Sequence, residues 1–356
     1  MRISQVGLIG SQPGRSYPGY TLLAPLRARS CYLLGMRGEV VHEWRLPDRL
    51  GSLACMLPGG RLLTTGMTAE GPPIIEGKGG HFREYDWNGN LLWEYVDHGQ
   101  HHDFRRLANG NTLYLGWERM PVEAARRVRG GVPGSEAAKG GQIYSDYLRE
   151  VNPAGQVVWQ WHAFDLDIEA RPLADDCWRW EYAHANSCCP LADGRVLLSF
   201  RHLDTLMMID RAGRVVWERR DPLWGHQHNA EMLPDGNITL FANGMTNLIQ
   251  PLCSRVVELD PASGETVWQY RAAQSWTFFS PIISGAQRLP NGGTLICEGM
   301  SGRIFEVTRD GEIVWEYVSP YFTQVFPNDG PCNCVFRAYR YAADSEEISG
   351  RLPPPC

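Results

Sequence analysis

The stretch "GNLLWEY" (89–95) decides the fold, because five variants of the same phrase recur along the chain. They are "GEVVHEW" (38–44), "GQVVWQW" (155–161), "GRVVWER" (213–219), "GETVWQY" (264–270) and "GEIVWEY" (311–317). In the last five copies along the chain, a glycine-containing turn leads into a short apolar run that ends in tryptophan. This pattern indicates a hairpin that enters an outer strand. We expect the repeated tryptophans to pack between neighbouring units; they are Trp44, Trp93, Trp159, Trp217, Trp268 and Trp315.

A second phrase precedes most copies and completes the repeating unit. Its five variants are "LPGGRLL" (57–63), "LANGNTLYL" (107–115), "LADGRVLLSF" (191–200), "LPDGNITLF" (233–241) and "LPNGGTLI" (289–296). Asn-Gly and Asp-Gly pairs suit tight hairpin turns, so each unit contains four short strands. The repeated tryptophans are 47–66 residues apart, and four strands in a repeat of this kind are typical of a β-propeller. The sequence therefore predicts an all-β, six-bladed β-propeller.

The two ends of the chain are expected to meet in one blade. The first copy has no preceding second phrase, whereas a lone strand, "VFRAYRYA" (335–342), follows the last copy. We predict that this strand closes the ring by joining the blade begun by "YTLLAP" (20–25) and "CYLLGM" (31–36). The whole chain, residues 1–356, would then form one propeller domain.

Three segments lie outside the repeat. Residues 119–141 and 162–182 are insertions without strand periodicity, and residues 343–356 form a tail. Long loops on a rigid scaffold often carry function. We therefore expect both insertions to lie over one face of the propeller, near its active mouth.

Composition narrows the classes of partner. A net charge of −6 and a pI near 5.9 argue against nucleic acid and anionic membranes. No apolar run approaches the roughly 20 residues of a membrane span, and the first residues do not resemble a signal peptide. We expect a cytoplasmic protein that acts on a small molecule. No sequence pattern indicates its oligomeric state.

Ten cysteines in a chain of this length do not form a disulfide scaffold. We expect most of them to be reduced, and the "CC" at 188–189 to be small apolar residues of a strand. The "PCNC" at 331–334 holds Cys332 and Cys334 at a spacing that could bind a soft metal. It lacks a second Cys/His pair at zinc spacing.

The glycine of the second phrase is a reference position from which equivalent residues of the inner strands can be counted. Eight residues before each of these glycines stand only polar side chains: Ser52, His102, Asn186, His228 and Ser284. Two residues further back stand His184 and His226, and His101 lies beside His102. Equivalent positions in successive blades converge on the propeller axis. We therefore expect His102, His184, Asn186 and His228 to meet at the mouth of the central channel.

Three interpretations of this polar cluster remain open. Polar residues could simply fill a wet channel mouth. Converging imidazoles could bind Cu, Fe or Zn, with His102, His184, His226 and His228 as ligands. Alternatively, a neutral imidazole could accept a transferred group while neighbouring side chains hold its oxygens. Arg201 ends the strand after His184 and Asn186, and a cation there disfavours a metal and favours an anionic substrate.

Several segments resemble the bacterial PQQ-independent aryl sulfotransferases. They are "HHDFRRLANGNTL" (101–113), "HANSCCPLADGRVLLSFR" (184–201), "QHNAEMLPDGN" (227–237) and "SGAQRLPNGGTLICEG" (284–299). The similarity extends from about residue 20 to 342. The family consists of six-bladed propellers, typically exported, that move a sulfuryl group between phenols through a transient sulfohistidine. A threonine pair of the family has no match here; Ser280 and Ser284 are nearest.

The resemblance implies a role for five of the clustered residues and leaves His101 and His226 unexplained. His228 would be the nucleophile, and His102, His184, Asn186 and Arg201 would stabilise the sulfuryl oxygens. We assign His101, His226 and Ser284 to substrate binding. The expected substrates are an aryl sulfate donor and a phenolic acceptor, without a cofactor. The alternatives are a metal-dependent oxidoreductase or lyase that uses the four histidines, and a non-catalytic interaction scaffold.

Overall fold

The structure, a computed structural model, describes residues 5–245, 252–274, 276–326, 328–348 and 350–354. It is nearly all-β, with six antiparallel sheets arranged in a ring. The prediction of a six-bladed β-propeller is confirmed. In the described part of the chain, no helix is long and apolar enough to cross a membrane.

The strands follow the predicted repeat in chain order. The first strand, β1 (Gly7–Ser11), lies outside blade 1, which contains β2 (Tyr20–Leu23), β3 (Ser30–Leu34) and β4 (Val40–Arg45). Blade 2 contains β5 (Leu50–Leu57), β6 (Arg61–Met67), β7 (Gly80–Tyr85) and β8 (Leu91–Val96). Blade 3 contains β9 (Gln100–Arg106) and β10 (Thr112–Arg119), then, after the insertion strand β11 (Gly130–Val132), β12 (Tyr144–Val151) and β13 (Val157–His162).

The second half of the ring starts after two more insertion strands, β14 (Leu173–Trp178) and β15 (Glu181–Tyr182). Blade 4 contains β16 (Ala185–Pro190), β17 (Val196–Phe200), β18 (Thr205–Ile209) and β19 (Val215–Arg220). Blade 5 contains β20 (His228–Met232), β21 (Ile238–Ala242), β22 (Arg255–Leu259) and β23 (Thr266–Tyr270). Blade 6 contains β24 (Gly285–Arg288), β25 (Thr294–Glu298), β26 (Arg303–Val307) and β27 (Ile313–Val318), and the last strand is β28 (Tyr339–Tyr341).

The described helices are short. One α-helical turn, α1 (Val122–Ala125), lies in the first insertion. The 3₁₀ turns span Ser135–Lys139, Ala163–Asp165, Arg201–Leu203, Pro222–Trp224 and Gly299–Ser301.

Ring closure takes place as the sequence predicts. Strand β28 pairs with β2, and the first sheet has the order β28-β2-β3-β4. The C-terminal strand is therefore the innermost strand of the first blade. The N-terminal strand β1 pairs with β27, the outer strand of the last blade. Both ends of the chain thus cross the junction between the first and last blades.

The repeated tryptophans join each blade to the next one. Each indole Nε1–H donates a hydrogen bond of 2.8–3.1 Å to a backbone carbonyl in a turn of the following blade. The six pairs are Trp44–Asp86, Trp93–Pro153, Trp159–Arg211, Trp217–Pro261, Trp268–Arg309 and Trp315–Met36. The last pair closes the ring. The prediction that these tryptophans pack between blades is confirmed.

The two predicted insertions join each other. Strand β11 of the first insertion pairs in parallel with β14 of the second, and β15 pairs in parallel with β12 of blade 3. Buried apolar residues of the second insertion, including Leu173 and Cys177, share one core with Phe200 and Leu203 of blade 4. This packing holds the second insertion over the start of the inner strand of blade 4.

The predicted tail returns to the first two blades. Ile348 is fully buried among core residues of blades 1 and 2, and the Gly59 amide donates to the Glu346 carbonyl at 2.8 Å. Residues 349, 355 and 356 of the tail lie outside the described part of the chain.

Candidate functional site

A cavity of about 250 Å³ lies where the six inner strands begin. A residue at or near the start of each inner strand lines it: Ser52, His102, His184, His228, Ile283 and Phe336. The second insertion contributes Trp178, Trp180 and Glu181 to its wall. Much of the remaining lining is apolar, including Ile75 and Phe326. The cavity is therefore apolar and aromatic, with imidazoles from successive blades.

Irregular backbone positions these side chains. The inner-strand register is broken around Ser52, His102 and Asn186, each of which lies in a bulge. His102 and His184 have positive φ angles of 49° and 54°. Bulges redirect side chains next to active sites. Left-handed conformations of non-glycine residues cost about 1–3 kcal/mol each and cluster at functional sites.

The hydrogen bonds of His228 define its tautomer. Its Nδ1 lies 2.8 Å from Asn243 Oδ1 and 3.0 Å from the His226 carbonyl, both of which can only accept. The amide orientation is fixed as well, because Asn243 Nδ2 donates to the Ser280 and Ile283 carbonyls. Nδ1 of His228 therefore carries the proton. Its Nε2 carries the lone pair and accepts a long hydrogen bond of 3.2 Å from the Ile283 amide.

His102 is oriented by its neighbour His101. The two Nδ1 atoms lie 2.8 Å apart, and His101 Nε2 lies 3.1 Å from Asp146 Oδ1. Burial, followed by the charge of the nearby Glu181, raises the pKa of Asp146 well above its usual value. Burial also lowers the pKa of His101 to about 3, which keeps its ring neutral.

One of the two Nδ1 atoms of His101 and His102 donates to the other, and the bond can form in either direction. Of the two imidazoles that line the cavity, the tautomer is therefore fixed by acceptor partners for His228, whose Nε2 is a base.

The imidazoles of this site are neutral near pH 7. Burial is the largest cause that lowers their pKa values well below 6.5, and a nearby arginine adds to it: Arg337 for His102, and Arg201 for the other three. The four residues are His102, His184, His202 and His228.

Arg201 supplies positive charge to the cavity. Its backbone amide donates to the His184 carbonyl at 2.9 Å, which holds it beside the cluster. Its guanidinium makes no hydrogen bond or ion pair with another residue in the described ranges, although it lines the cavity. This charge is therefore available to an anionic ligand.

His184 and His202 lie beside a buried carboxylate. His184 Nδ1 is 2.9 Å from Glu181 Oε1, and His202 Nδ1 lies 3.2 Å from the Glu181 carbonyl. Trp117 donates its indole N–H to the same Oε1 at 2.7 Å. Glu181 and His202 were not among the residues predicted from the sequence.

His226 points away from the cavity. Its Nε2 lies 3.0 Å from Asp176 Oδ2, and its Nδ1 lies 3.4 Å from Asp204 Oδ1 and 3.1 Å from the Arg201 carbonyl. Burial alone would lower the pKa of His226, but the hydrogen bonds to Asp176 and Asp204 outweigh it and raise the pKa to about 8. His226 is therefore a cation that ties the second insertion to blades 4 and 5.

Three other predicted residues also lie outside the cavity lining. Asn186 is buried between blades, where its Nδ2 donates to the Gln227 carbonyl at 2.7 Å. Ser284 Oγ accepts from the Gly299 amide at 2.9 Å. His101 stacks on Trp117, with ring centroids 4.0 Å apart. The structure therefore places His102, His184, His228 and Arg201 on one cavity, and Asn186, His101, His226 and Ser284 behind or beside it.

Counting forward from the same glycines could have found some of the residues that support the site. Seven residues after the glycine of the second phrase stand Trp117, Arg201 and Asn243 in blades 3, 4 and 5. Each lies next to the inner-strand histidines. No such spacing leads to Glu181, because it lies in an insertion without periodicity.

The described residues contain two groups that could hold a metal ion: Asp176, Cys177 and His226, and Glu181, His184 and His202. Neither is the predicted set of four histidines, because His226 faces its carboxylates. Cys332 and Cys334 have Sγ atoms 3.0 Å apart and belong to neither group. Cys188 and Cys189 are unpaired residues of β16, and the former is fully buried.

Comparisons with known proteins connect this geometry to a family. Residues 80–320, more than half of the chain, match the family model described as Arylsulfotransferase (ASST). No curated protein matches the chain.

Of two similar solved structures, the first shares the fold of the chain. A protein of unknown function from Bacteroides caccae superposes with a TM-score of 0.55 at 14% identity, covering 90% of this chain and 98% of that one. A virginiamycin B lyase from Staphylococcus aureus with quinupristin, in a catalytically inactive form, has a TM-score of 0.49 at 9% identity and covers 88% of each chain.

Proposed function

The chain belongs to the arylsulfotransferase family, and on that premise we propose that it moves a sulfuryl group from an aryl sulfate to a phenolic acceptor through His228. Membership of the family supports sulfuryl transfer in general. The observation that carries the specific mechanism is the tautomer of His228, whose Nδ1–H donates to two acceptors and whose Nε2 keeps its lone pair at the cavity. A nucleophile requires such a lone pair, and the guanidinium of Arg201 on the same cavity offers donors to the transferred oxygens.

In the first half-reaction, His228 Nε2 attacks the sulfur of the aryl sulfate. The N–S bond forms as the S–O bond to the aryl group breaks, and the phenolate leaves with the bonding electrons. The ring then carries a positive charge, which Asn243 Oδ1 stabilises through the Nδ1–H hydrogen bond. Nε2 gives up its hydrogen bond from the Ile283 amide in this step.

The sulfuryl oxygens need donors as charge redistributes in the transition state. The guanidinium of Arg201 is suited to this role, as is His102 when its proton is on Nε2, since both residues line the cavity with His228. Arg201 also provides the charge that attracts the anionic donor. Sulfuryl transfer resembles phosphoryl transfer in needing an in-line nucleophile and donors on the equatorial oxygens.

In the second half-reaction, an acceptor phenol attacks the same sulfur. Its oxygen forms the new S–O bond, the N–S bond breaks, and the electron pair returns to His228 Nε2. The phenol proton is released, and it balances the proton that the departed phenolate takes up. Aromatic and aliphatic residues of the wall, including Trp178, Trp180 and Phe336, suit both aryl groups.

The test is a chemical trap of the covalent intermediate. The protein is incubated with 4-nitrophenyl sulfate, with and without phenol, while 4-nitrophenol release is measured and the protein is analysed by mass spectrometry. We expect a burst of nitrophenol without acceptor, and a mass gain of one sulfuryl group on the peptide that contains His228. His228→Ala should lose both. His98→Ala, at a partly exposed histidine outside the cavity, should keep both.

Two outcomes would overturn the mechanism. Nitrophenol release that His228→Ala retains would exclude His228 as the nucleophile. A sulfuryl adduct on a different histidine would move the covalent step to that residue.

A further inference from the structure

One wall of the cavity contains three buried metal-ligating side chains that the proposed transfer does not need as a group. They are Glu181 from the second insertion, His184 from the approach to β16, and His202 from the 3₁₀ turn after β17. One ligand atom from each lies within 4.8 Å of the other two. A tetrahedral zinc ion with bonds of about 2.0–2.2 Å separates its ligand atoms by about 3.4 Å. Small rotations of these side chains would bring the three ligand atoms to this separation.

The orientations of the three side chains match a ligand set. His184 Nδ1 is buried and lies 2.9 Å from Glu181 Oε1, yet it forms no hydrogen bond with any described residue. His202 Nδ1 faces the Glu181 carbonyl and must donate to it, which leaves the Nε2 lone pair free. Metal-bound imidazoles usually have this arrangement, with the other ring nitrogen donating to a carbonyl or carboxylate. Trp117 similarly holds the carboxylate of Glu181.

The charge of this wall also favours a cation. Glu181 is 1% exposed and makes no ion pair with a lysine or arginine in the part of the chain that the structure describes. A buried carboxylate needs a compensating charge, and the neighbouring imidazoles are neutral. Arg201 opposes a metal through like-charge repulsion, but the carboxylate of Glu181, close to His184, offsets that repulsion.

We propose that Glu181, His184 and His202 bind one divalent transition-metal ion of the Zn²⁺ type, with its remaining position open to the cavity. All three residues line the cavity, so the open position would face a bound substrate. Two imidazoles and one carboxylate are a known ligand set of zinc sites that keep such an open position. The ion would add a Lewis acid beside Arg201 for an oxygen of the anionic substrate.

The second group of ligand atoms provides a contrast. His226 in the group with Asp176 and Cys177 has carboxylates at both ring nitrogens, which favour its protonated form. A protonated imidazole has no lone pair for a metal. This group is therefore not a second metal site of the same kind.

The experiment measures metal binding without any turnover. The full-length protein is freed of metal with a chelator and titrated with Zn²⁺ by calorimetry and with Co²⁺ by visible absorption. Glu181→Gln and His202→Gln are compared with the control Glu169→Gln, in an exposed ion pair of the same insertion, and circular dichroism checks that each variant is folded. We expect one equivalent per chain and d–d bands of low-symmetry Co²⁺. Affinity should fall at least about 100-fold in both ligand variants and stay unchanged in Glu169→Gln.

Two results would overturn the proposal: no binding of Zn²⁺ or Co²⁺ by the folded wild type, or equal affinity in the wild type and the folded double variant Glu181→Gln, His202→Gln. Because the readout is stoichiometry and spectrum, it is independent of sulfuryl transfer. A protein that binds the metal but releases no nitrophenol would support this metal site and disprove the proposed function. A protein that releases nitrophenol but binds no metal would disprove the metal site and leave the proposed function standing.

Discussion

At the scale of single residues, the partner at Nδ1 decides what each imidazole can do. Asn243 accepts from His228 and leaves Nε2 with a lone pair. His101 is hydrogen-bonded to His102 through the two Nδ1 atoms, 2.8 Å apart, so it controls which nitrogen of His102 carries the proton. Both partners lie outside the predicted nucleophile and oxygen-binding set. They should therefore act on the chemistry without touching the substrate.

Replacing Asn243 with Asp should move the pH dependence of the reaction. In the wild type, burial and the charge of Arg201 lower the pKa of His228 well below 6.5, so kcat/KM should stay level between about pH 8 and 6.5. A carboxylate beside Nδ1 favours the imidazolium and raises that pKa. In Asn243→Asp the acid limb should therefore appear at higher pH.

The check is a pH–rate profile with 4-nitrophenyl sulfate, alongside Asn109→Asp as the control. Asn109 is exposed in a hairpin turn and should leave the profile in place. Identical profiles for the wild type and a folded Asn243→Asp would exclude control of His228 by Asn243.

Removing the guanidinium of Arg201 should weaken the reaction of the anionic donor. Loss of one donor to a developing oxyanion typically costs about 10²–10³ in rate, so Arg201→Ala should lower kcat/KM by about 100-fold or more. Arg214→Ala is the matched control, because Arg214 is an exposed arginine of the same blade that pairs with Asp210. Steady-state kinetics with 4-nitrophenyl sulfate measure both. Equal losses in the two variants would remove Arg201 from the site.

Spacing predicts where a residue lies in a blade but not which way its side chain points. Counting back from the glycines of the second phrase places His184 and His226 at equivalent positions, and both have positive φ angles. His184 lines the cavity, whereas His226 turns toward Asp176 and Asp204. Asp176 belongs to an insertion that exists only between blades 3 and 4. No periodicity could supply that partner, so the role of His226 was not predictable from the repeat.

At the scale of elements, the second insertion forms part of the cavity wall through β14. This strand ends in Trp178, which lines the cavity, and Asp176 two residues earlier pairs with His226. The strands of the blades were predictable because their turns and apolar runs repeat. The parallel pair β11–β14 was not, because neither insertion carries a strand pattern and the pairing joins segments about 40 residues apart.

The anchoring of β14 should weaken as pH rises. The pKa of His226 is raised to about 8, above its usual value of 6.5. Its stabilisation is therefore complete below about pH 6.5 and is lost as pH rises through about 8. We expect a contribution of about 1–2 kcal/mol, since Asp176 is half exposed and partly screened by solvent.

Amide hydrogen exchange of residues 173–178, corrected for intrinsic rates, measures this effect at pH 6 and pH 9. Protection should fall with pH in the wild type and depend less on pH in Asp176→Asn. Glu169→Gln, in an exposed ion pair of the same insertion, should behave like the wild type. Protection that changes equally in the wild type and Asp176→Asn would contradict the anchoring role.

At the scale of the whole molecule, the ring depends on contacts that repeat between blades and on one junction that does not. Five indole hydrogen bonds join consecutive blades, and the sixth, from Trp315 to Met36, crosses the junction between the last and the first. Strands β28 and β1 cross the same junction. The sequence predicted this closure because the first copy of the tryptophan phrase has no second phrase before it, whereas one additional strand follows the last copy.

Loss of the C-terminal strand β28 should lower the stability of the propeller far more than loss of the N-terminal strand β1. A chain that ends at residue 334 loses β28, so β2 loses its inner neighbour. It also leaves Glu306 buried without its ion-pair partner Arg340, and such a loss typically costs about 3–5 kcal/mol. Deleting residues 1–11 removes only the mostly exposed β1 and leaves six four-stranded blades. Thermal unfolding by circular dichroism should therefore show no cooperative transition for the first truncation and a slightly lowered Tm for the second. Comparable cooperative melting of both would mean that the ring does not depend on its closing strand.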